Sequence, residues 1–284
     1  MKLVKFYNTS KMNKKYENNF IRDFKIINKK GIYLLGDFVK RFENNFAKYC
    51  QSKYCIAVGN CVDAIKLSFM AFKILGDLKD NDEVLVPANT YIASILGVTS
   101  ANLKPIFVEP DAKTFNISPA NIIKAINRKT KAILLVDLYG HPADLLEIKK
   151  IAKKKNLKLI EDAAQSCGAK INNKMIGSFC DTTCFSFFPG KNLGAFGDAG
   201  AITTNNKKLY NVLKSLRNYG EDTFEDLKNR TYKNNFKGVN SRMDEIQASI
   251  LSSKLKDYSK HQKARKSIAN FYLKNIKNPK ITLP

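Results

Sequence analysis

From about residue 54 onward, short apolar runs alternate with stretches whose apolar positions recur at helical spacing. The runs Tyr54–Val58, Glu83–Val86, Pro105–Val108, Ala132–Asp137, Lys158–Glu161, Thr183–Phe187 and Ala199–Thr204 predict strands. Between them, helical periodicity predicts Val62–Ala71, Tyr91–Ser100, Pro119–Ile126 and Ala143–Lys155, and a further helix, Asn206–Arg217, follows the last strand. Strands that are apolar on both faces and separated by helices indicate a mostly parallel sheet covered on each side. Residues 1–53 read as helical pieces ending in Phe38–Tyr49, and residues 220–238, rich in Asn, Lys and Glu, as a long polar loop. The segment Arg242–Leu255 places Met243, Ile246, Ile250, Leu251 and Leu255 on one stripe, which predicts a buried amphipathic helix. Another helix is expected over Tyr258–Asn275.

Composition narrows the class. The 284 residues suit two domains or one large α/β layer, and 44% hydrophobic with 26% charged residues is enough to bury a core. No apolar run approaches the ~18 residues that cross a bilayer, so no integral membrane protein is expected. Met1-Lys-Leu-Val-Lys-Phe-Tyr-Asn has no apolar signal core, which makes the cytoplasm the expected compartment. The net charge of +24 raises the question of nucleic acid. However, 42 of the 49 basic residues are Lys, spread over most polar surfaces, whereas nucleic-acid sites lean on Arg interleaved with aromatics. A compositional bias explains the charge, and no nucleic-acid partner is expected. The six cysteines form no Cys-x-x-Cys pair and stand apart from His141 and His261, so neither zinc nor disulfides are expected. They read as small packed hydrophobes, apart from Cys61, which lies in a loop.

Three stretches carry candidate chemistry. In Phe185-Ser-Phe-Phe-Pro-Gly-Lys-Asn-Leu-Gly-Ala, a strand runs into a Pro-Gly turn that holds Lys191. A lysine in a tight turn beside a sheet can be desolvated and made nucleophilic, although an ordinary surface lysine gives the same pattern. In Leu159-Ile-Glu-Asp-Ala-Ala-Gln-Ser, Asp162 ends a buried strand, where ligands of open α/β sheets bind. A carboxylate there can hold the ring nitrogen of pyridoxal phosphate protonated, or it can cap a following helix. In Val58-Gly-Asn-Cys-Val-Asp-Ala, a strand turns directly into a helix whose free amides suit a phosphate, and a plain β–α turn fits equally.

Taken together, in order along the chain, these residues resemble the DegT/DnrJ/StrS family of sugar aminotransferases. The resemblance runs from about Tyr33 to Pro284. Gly238-Val-Asn-Ser-Arg-Met-Asp-Glu-Ile-Gln-Ala, Val136-Asp-Leu-Tyr-Gly-His-Pro-Ala-Asp and Asp82-Glu-Val-Leu-Val-Pro-Ala-Asn-Thr-Tyr support it. It implies the α/β fold of type I pyridoxal-phosphate enzymes, a mostly parallel mixed sheet flanked by helices. It also implies a large cofactor-binding domain over residues 1–255, with residues 256–284 beginning a small, incomplete C-terminal domain.

By the same resemblance, pyridoxal 5'-phosphate is the cofactor and Lys191 is its covalent anchor and proton shuttle. Asp162 pairs with the ring nitrogen, Gln165 hydrogen-bonds the phenolic oxygen and Tyr91 stacks on the ring. Ser186 and the amides of Cys61 and Val62 hold the phosphate. Asn240 reaches the phosphate of a neighbouring subunit, which implies a homodimer. The implied reaction moves an amino group, from glutamate in most members, to a keto group of a nucleotide-linked sugar for surface polysaccharide or glycan synthesis. Many members have Gly-Thr where this chain has Cys61-Val62, so a hydroxyl contact to the phosphate is absent. An apolar residue at position 62 leans toward the branch acting on 3-keto sugars, whereas Phe188 stands where that branch tends to have Tyr. A dehydratase group carries His in place of the anchoring lysine, and Lys191 argues against that reaction. The competing expectation is a truncated, catalytically poor cofactor-binding protein with an interaction or regulatory role.

Overall fold

The computed structural model describes residues 8–222 and 232–283. Residues 1–7 of the expected N-terminal segment and 223–231 of the expected polar loop therefore lie outside the described residues. Helices α1 (Thr9–Asn13), α2 (Glu17–Lys30) and α3 (Asp37–Tyr49) lead into strand β1 (Tyr54–Val58) and α4 (Cys61–Ile74). The chain continues through β2 (Glu83–Pro87), α5 (Ile92–Thr99), β3 (Lys104–Val108), α6 (Pro119–Ala125), β4 (Thr130–Val136), α7 (Leu145–Lys155) and β5 (Lys158–Asp162). A small hairpin, β6 (Lys170–Ile171) with β7 (Lys174–Met175), precedes β8 (Thr182–Ser186) and β9 (Gly200–Thr204). Helices α8 (Lys207–Leu216), α9 (Glu245–Leu255) and α10 (Tyr258–Asn275) follow.

Among the described residues, seven strands form one sheet in the order β1-β9-β8-β5-β4-β2-β3. All neighbours are parallel except β9, which runs antiparallel to both β1 and β8. This is the mostly parallel mixed sheet that the apolar runs imply. Alternation along the strands sorts side chains between two faces. Ile56, Val58, Val84, Leu134, Ile160 and Cys184 enter one core beneath α4 and α8. Ala57, Phe185 and Ala201 face α3 and α9, and Leu85, Ile133 and Leu159 face α7.

Two readings change. Helix α9 is not amphipathic: Ser249, Ser252 and Ser253 are buried along with Ala248, Ile250 and Leu251, while Ile246 is 37% exposed. Its own Glu245 explains part of the inward polarity, since the carboxylate accepts the amides of Gly36, Phe38 and Val39 and so caps α3. Cys61 is the first residue of α4 rather than part of a loop, and all six cysteines are buried and free.

Candidate active site

Of the connections that leave the carboxyl ends of the parallel strands, four carry the site candidates: β1 into α4, β2 into α5, and the turns after β5 and β8. Because β9 is antiparallel, its first residue, Gly200, lies at the same edge. A Cβ on Gly200 would lie 2.5 Å from the Asn60 carbonyl carbon and 3.0 Å from the Cys61 nitrogen, so only glycine lets this loop rest on the sheet. Asn60 caps α4: its Oδ1 accepts the Asp63 amide at 2.8 Å and its carbonyl the Ala64 amide at 3.1 Å. Ser241 braces the turn from behind, donating to Asp63 Oδ2 at 2.7 Å and accepting the Gly59 amide at 3.0 Å. Among the described residues, no acceptor takes the amides of Cys61 and Val62, so two donors stand free at the positive end of a 14-residue helix. Ser186 is the last residue of β8, at this same edge.

Asp162 ends β5 and is 5% exposed. Its Oδ2 accepts the Ser94 hydroxyl at 2.7 Å and its Oδ1 the Ala164 amide at 3.0 Å, with the Cys61 thiol 3.8 Å from Oδ1. No helix follows Asp162, only turns, which removes the capping alternative. Burial raises its carboxyl above the usual range, while Ser94, Ala164 and the charge of Lys191 pull it back toward ionisation. Next to it, Glu161 points to the opposite face, where Thr183 donates to its Oε2 at 2.7 Å and, among the described residues, Oε1 has no donor. Asp137, also fully buried, accepts the Ala143 amide and the Ser166 hydroxyl. Burial pushes both carboxyls up, Asp137 to about 6 and Glu161 well above its ordinary value. The charge of Asp137 adds to the upward shift of Glu161.

Lys191 closes a turn in which its amide donates to the Phe188 carbonyl at 2.8 Å. The loop is pinned at its base by Ala195 N–H to the Phe187 carbonyl and Phe187 N–H to the Ala199 carbonyl, both 2.8 Å. Helices α9 and α10 hold it from outside: Lys254 donates to the Gly194 carbonyl, Gln247 accepts the Phe196 amide and Arg265 donates to the Asn192 carbonyl. A cleft of about 890 Å³ opens beside Lys191, lined also by Gln165, Gly168, Lys263, Arg265 and Lys266. Gln165 Oε1 accepts the Tyr139 amide at 2.8 Å, which orients the side chain, and among the described residues its Nε2 has no acceptor. Tyr91 stands at the N-cap of α5, 71% exposed.

The fold thus brings Cys61, Val62, Tyr91, Asp162, Gln165, Ser186 and Lys191 to one edge. Asn240 stands apart from them and donates instead to the Tyr219 hydroxyl at 2.8 Å. Sequence reasoning misses the role of Ser94 and of Thr90, which touches it. Two hydroxyls four residues apart at a helix start give no sign that they face a strand end 68 residues further on.

Two free amides at a helix start, a buried carboxyl that accepts two donors and a pinned lysine answer three different demands of one small molecule. Pyridoxal phosphate presents all three, and the residues here fit it. The fold is that of the pyridoxal-phosphate-dependent aminotransferases. Within that class, the chain belongs to the DegT/DnrJ/EryC1/StrS aminotransferase family, which it matches over residues 14–284, beginning earlier than the Tyr33 expected from motifs. A curated relative from Aneurinibacillus thermoaerophilus, dTDP-3-amino-3,6-dideoxy-alpha-D-galactopyranose transaminase, is 47% identical over 282 residues, covering 99% of this chain and 75% of its own. The crystal structure of S. venezuelae DesV in complex with a ketimine intermediate superposes with a TM-score of 0.91 at 35% identity, covering 100% of this chain and 75% of that one. NtdA from Bacillus subtilis, solved with bound cofactor PMP, gives 0.87 at 31% identity, covering 96% of this chain and 60% of that one.

Proposed function

We propose that this chain moves an amino group from an amino acid, glutamate in this reading, to a keto carbon of a nucleotide-linked deoxysugar, the 3-keto group in particular. The observation that carries the reading is Asp162, a buried carboxyl that accepts the Ser94 hydroxyl and the Ala164 amide at the edge where the free amides of α4 gather and Lys191 stands. Relatives named for 3-amino dTDP sugars support the position of the keto group, and they were matched across most of the chain. The cationic lining of the cleft, Lys170, Lys263, Arg265 and Lys266, suits a diphosphate-bearing substrate.

When bound, pyridoxal phosphate supplies a carbonyl carbon that takes up the amino group and a ring that delocalises electrons. Lys191 anchors it through Nζ at rest and then carries a proton between carbon atoms. Asp162 keeps the proton on the ring nitrogen, and Gln165 Nε2 donates to the phenolic oxygen. The amides of Cys61 and Val62, with Ser186 Oγ, hold the phosphate, while Tyr91 covers the ring face. Asn240 serves the site of a second copy, in a homodimer. Residues 1–255 act as the cofactor-binding unit and 256–284 belong to a second one, and the cytoplasm is the working compartment.

The test is the visible spectrum of the protein loaded with pyridoxal phosphate, with and without borohydride, beside Lys191→Ala. The expected result is a band fixed by reduction and absent from the variant, and its conversion to the amine form on addition of glutamate. A band that persists in Lys191→Ala refutes the lysine's role, and cofactor binding without amino-group uptake refutes the activity.

A further inference from the structure

We propose that Ser94 is a positioning residue for this chemistry, the donor that fixes Asp162 as a carboxylate aimed at the cofactor ring. The inference rests on the reading of Asp162 given above and adds a residue to which the resemblance assigns no role. Ser94 Oγ lies 2.7 Å from Asp162 Oδ2, is 1% exposed, and is the one side-chain hydroxyl on that carboxylate among the described residues. Its direction follows from chemistry. An ionised carboxylate only accepts, so Ser94 must donate to it, and the 2.8 Å contact between Ser94 Oγ and Thr90 Oγ1 must then run from Thr90 to Ser94. Two hydroxyls in series thus point their protons at Oδ2, each polarising the next.

Each Asp162 oxygen has a different fixer. Oδ1 takes the Ala164 amide from its own turn, with the Cys61 thiol as a weaker neighbour at 3.8 Å, and Oδ2 takes α5 through Ser94. The carboxylate plane is thereby set by two separate elements. The titratable groups acting on it are Lys191 and Cys61, with Asp137 behind. A donor on Oδ2 favours the carboxylate over the carboxylic acid, so a proton shared with the ring nitrogen stays on the ring. Without Ser94 that proton shifts toward Asp162, and the ring loses the charge that makes it an electron sink. Tyr91 sits one helical turn before Ser94, so the same end of α5 carries the exposed ring and the hidden donor.

The test compares Ser94→Ala, Ser94→Thr, Thr90→Val and Asp162→Asn in the cofactor-loaded protein, with circular dichroism to verify folding. Three quantities are read: the pH midpoint of the visible band, the single-turnover rate with glutamate, and kcat against KM. A ring proton makes the lysine–cofactor linkage more acidic, so its loss raises that midpoint. For Ser94→Ala the expected result is a midpoint raised by about one pH unit and a turnover rate lowered about tenfold, the scale of one hydrogen bond to a charged acceptor. KM should be unchanged. Ser94→Thr should restore both, and Thr90→Val should move them in the same direction by less. If Asp162→Asn is impaired while Ser94→Ala keeps the wild-type midpoint and rate, the inference about Ser94 is overturned and the reading of Asp162 stands. If Asp162→Asn itself behaves as wild type, both fall together.

Discussion

At the residue scale, the buried acids behind the site have a measurable signature. Asp137 is raised to about 6 by burial, against an ordinary value of 3.8. Above pH 6 the carboxyl is ionised in both folded and unfolded chains, and the full burial penalty is present. As pH falls from 6 toward 3.8, the folded chain takes up its proton first, so this contribution to stability rises. Glu161, also raised by burial, acts in the same direction. Relative to wild type, Asp137→Asn should therefore gain on the order of 2 kcal/mol more at pH 7.5 than at pH 4.5. Urea midpoints of both proteins at the two pH values measure it, and a pH-independent difference would rule out the raised Asp137 carboxyl. Lys191 and Asp162 are legible in the sequence because each sits in a local motif. Ser94 and the partners of Glu161 are not, because their role exists only once the chain brings distant segments together.

At the element scale, strands and helices are legible because burial on two faces leaves unbroken apolar runs. The hairpin Lys170–Met175 is not, since strands of two residues carry no period; its one local signal is Asn172-Asn173, both at positive φ, as a tight hairpin turn requires. Helix α9 misleads for the opposite reason: its serines are buried by close packing, and small polar side chains look like a solvent face in one dimension. The contact of Gly200 with the α4 turn ties an element junction to cofactor affinity. Gly200→Ala must displace backbone atoms of Asn60 and Cys61, a strain of about 1–3 kcal/mol. The expected outcome is a cofactor Kd about tenfold or more above wild type with the circular dichroism spectrum retained. An unchanged Kd in fluorescence titration would mean that this turn does not hold the phosphate.

At the scale of the whole molecule, two features point outward. Asn240 has no partner among the other site candidates, and α5 with the edge strand β3 leaves Ile92, Leu96 and Phe107 exposed near Tyr91. The proposed homodimer accounts for both. A charge placed within such an apolar surface opposes association, so Leu96→Glu should shift the mass seen by light scattering from dimer to monomer and weaken cofactor retention with it. A wild-type protein that scatters as a monomer at all concentrations would refute the shared site. The charge of +24 has no such focus. On α7, for example, it gathers as Lys153, Lys154 and Lys155 in the last turn, where cations complement the helix dipole.

The reversed strand β9 has one more consequence. The connection that carries Lys191 leaves and re-enters the sheet at the same edge, and hydrogen bonds at Phe187 close it before it can wander. The amine is a short-leashed reactant, confined to a small volume in front of one target. Its effective concentration there is fixed by the leash and far exceeds that of any dissolved amine. A soluble amine such as methylamine should therefore restore only a small part of the turnover lost in Lys191→Ala. Lengthening the loop by inserted glycines should lower the rate while leaving the lysine in place.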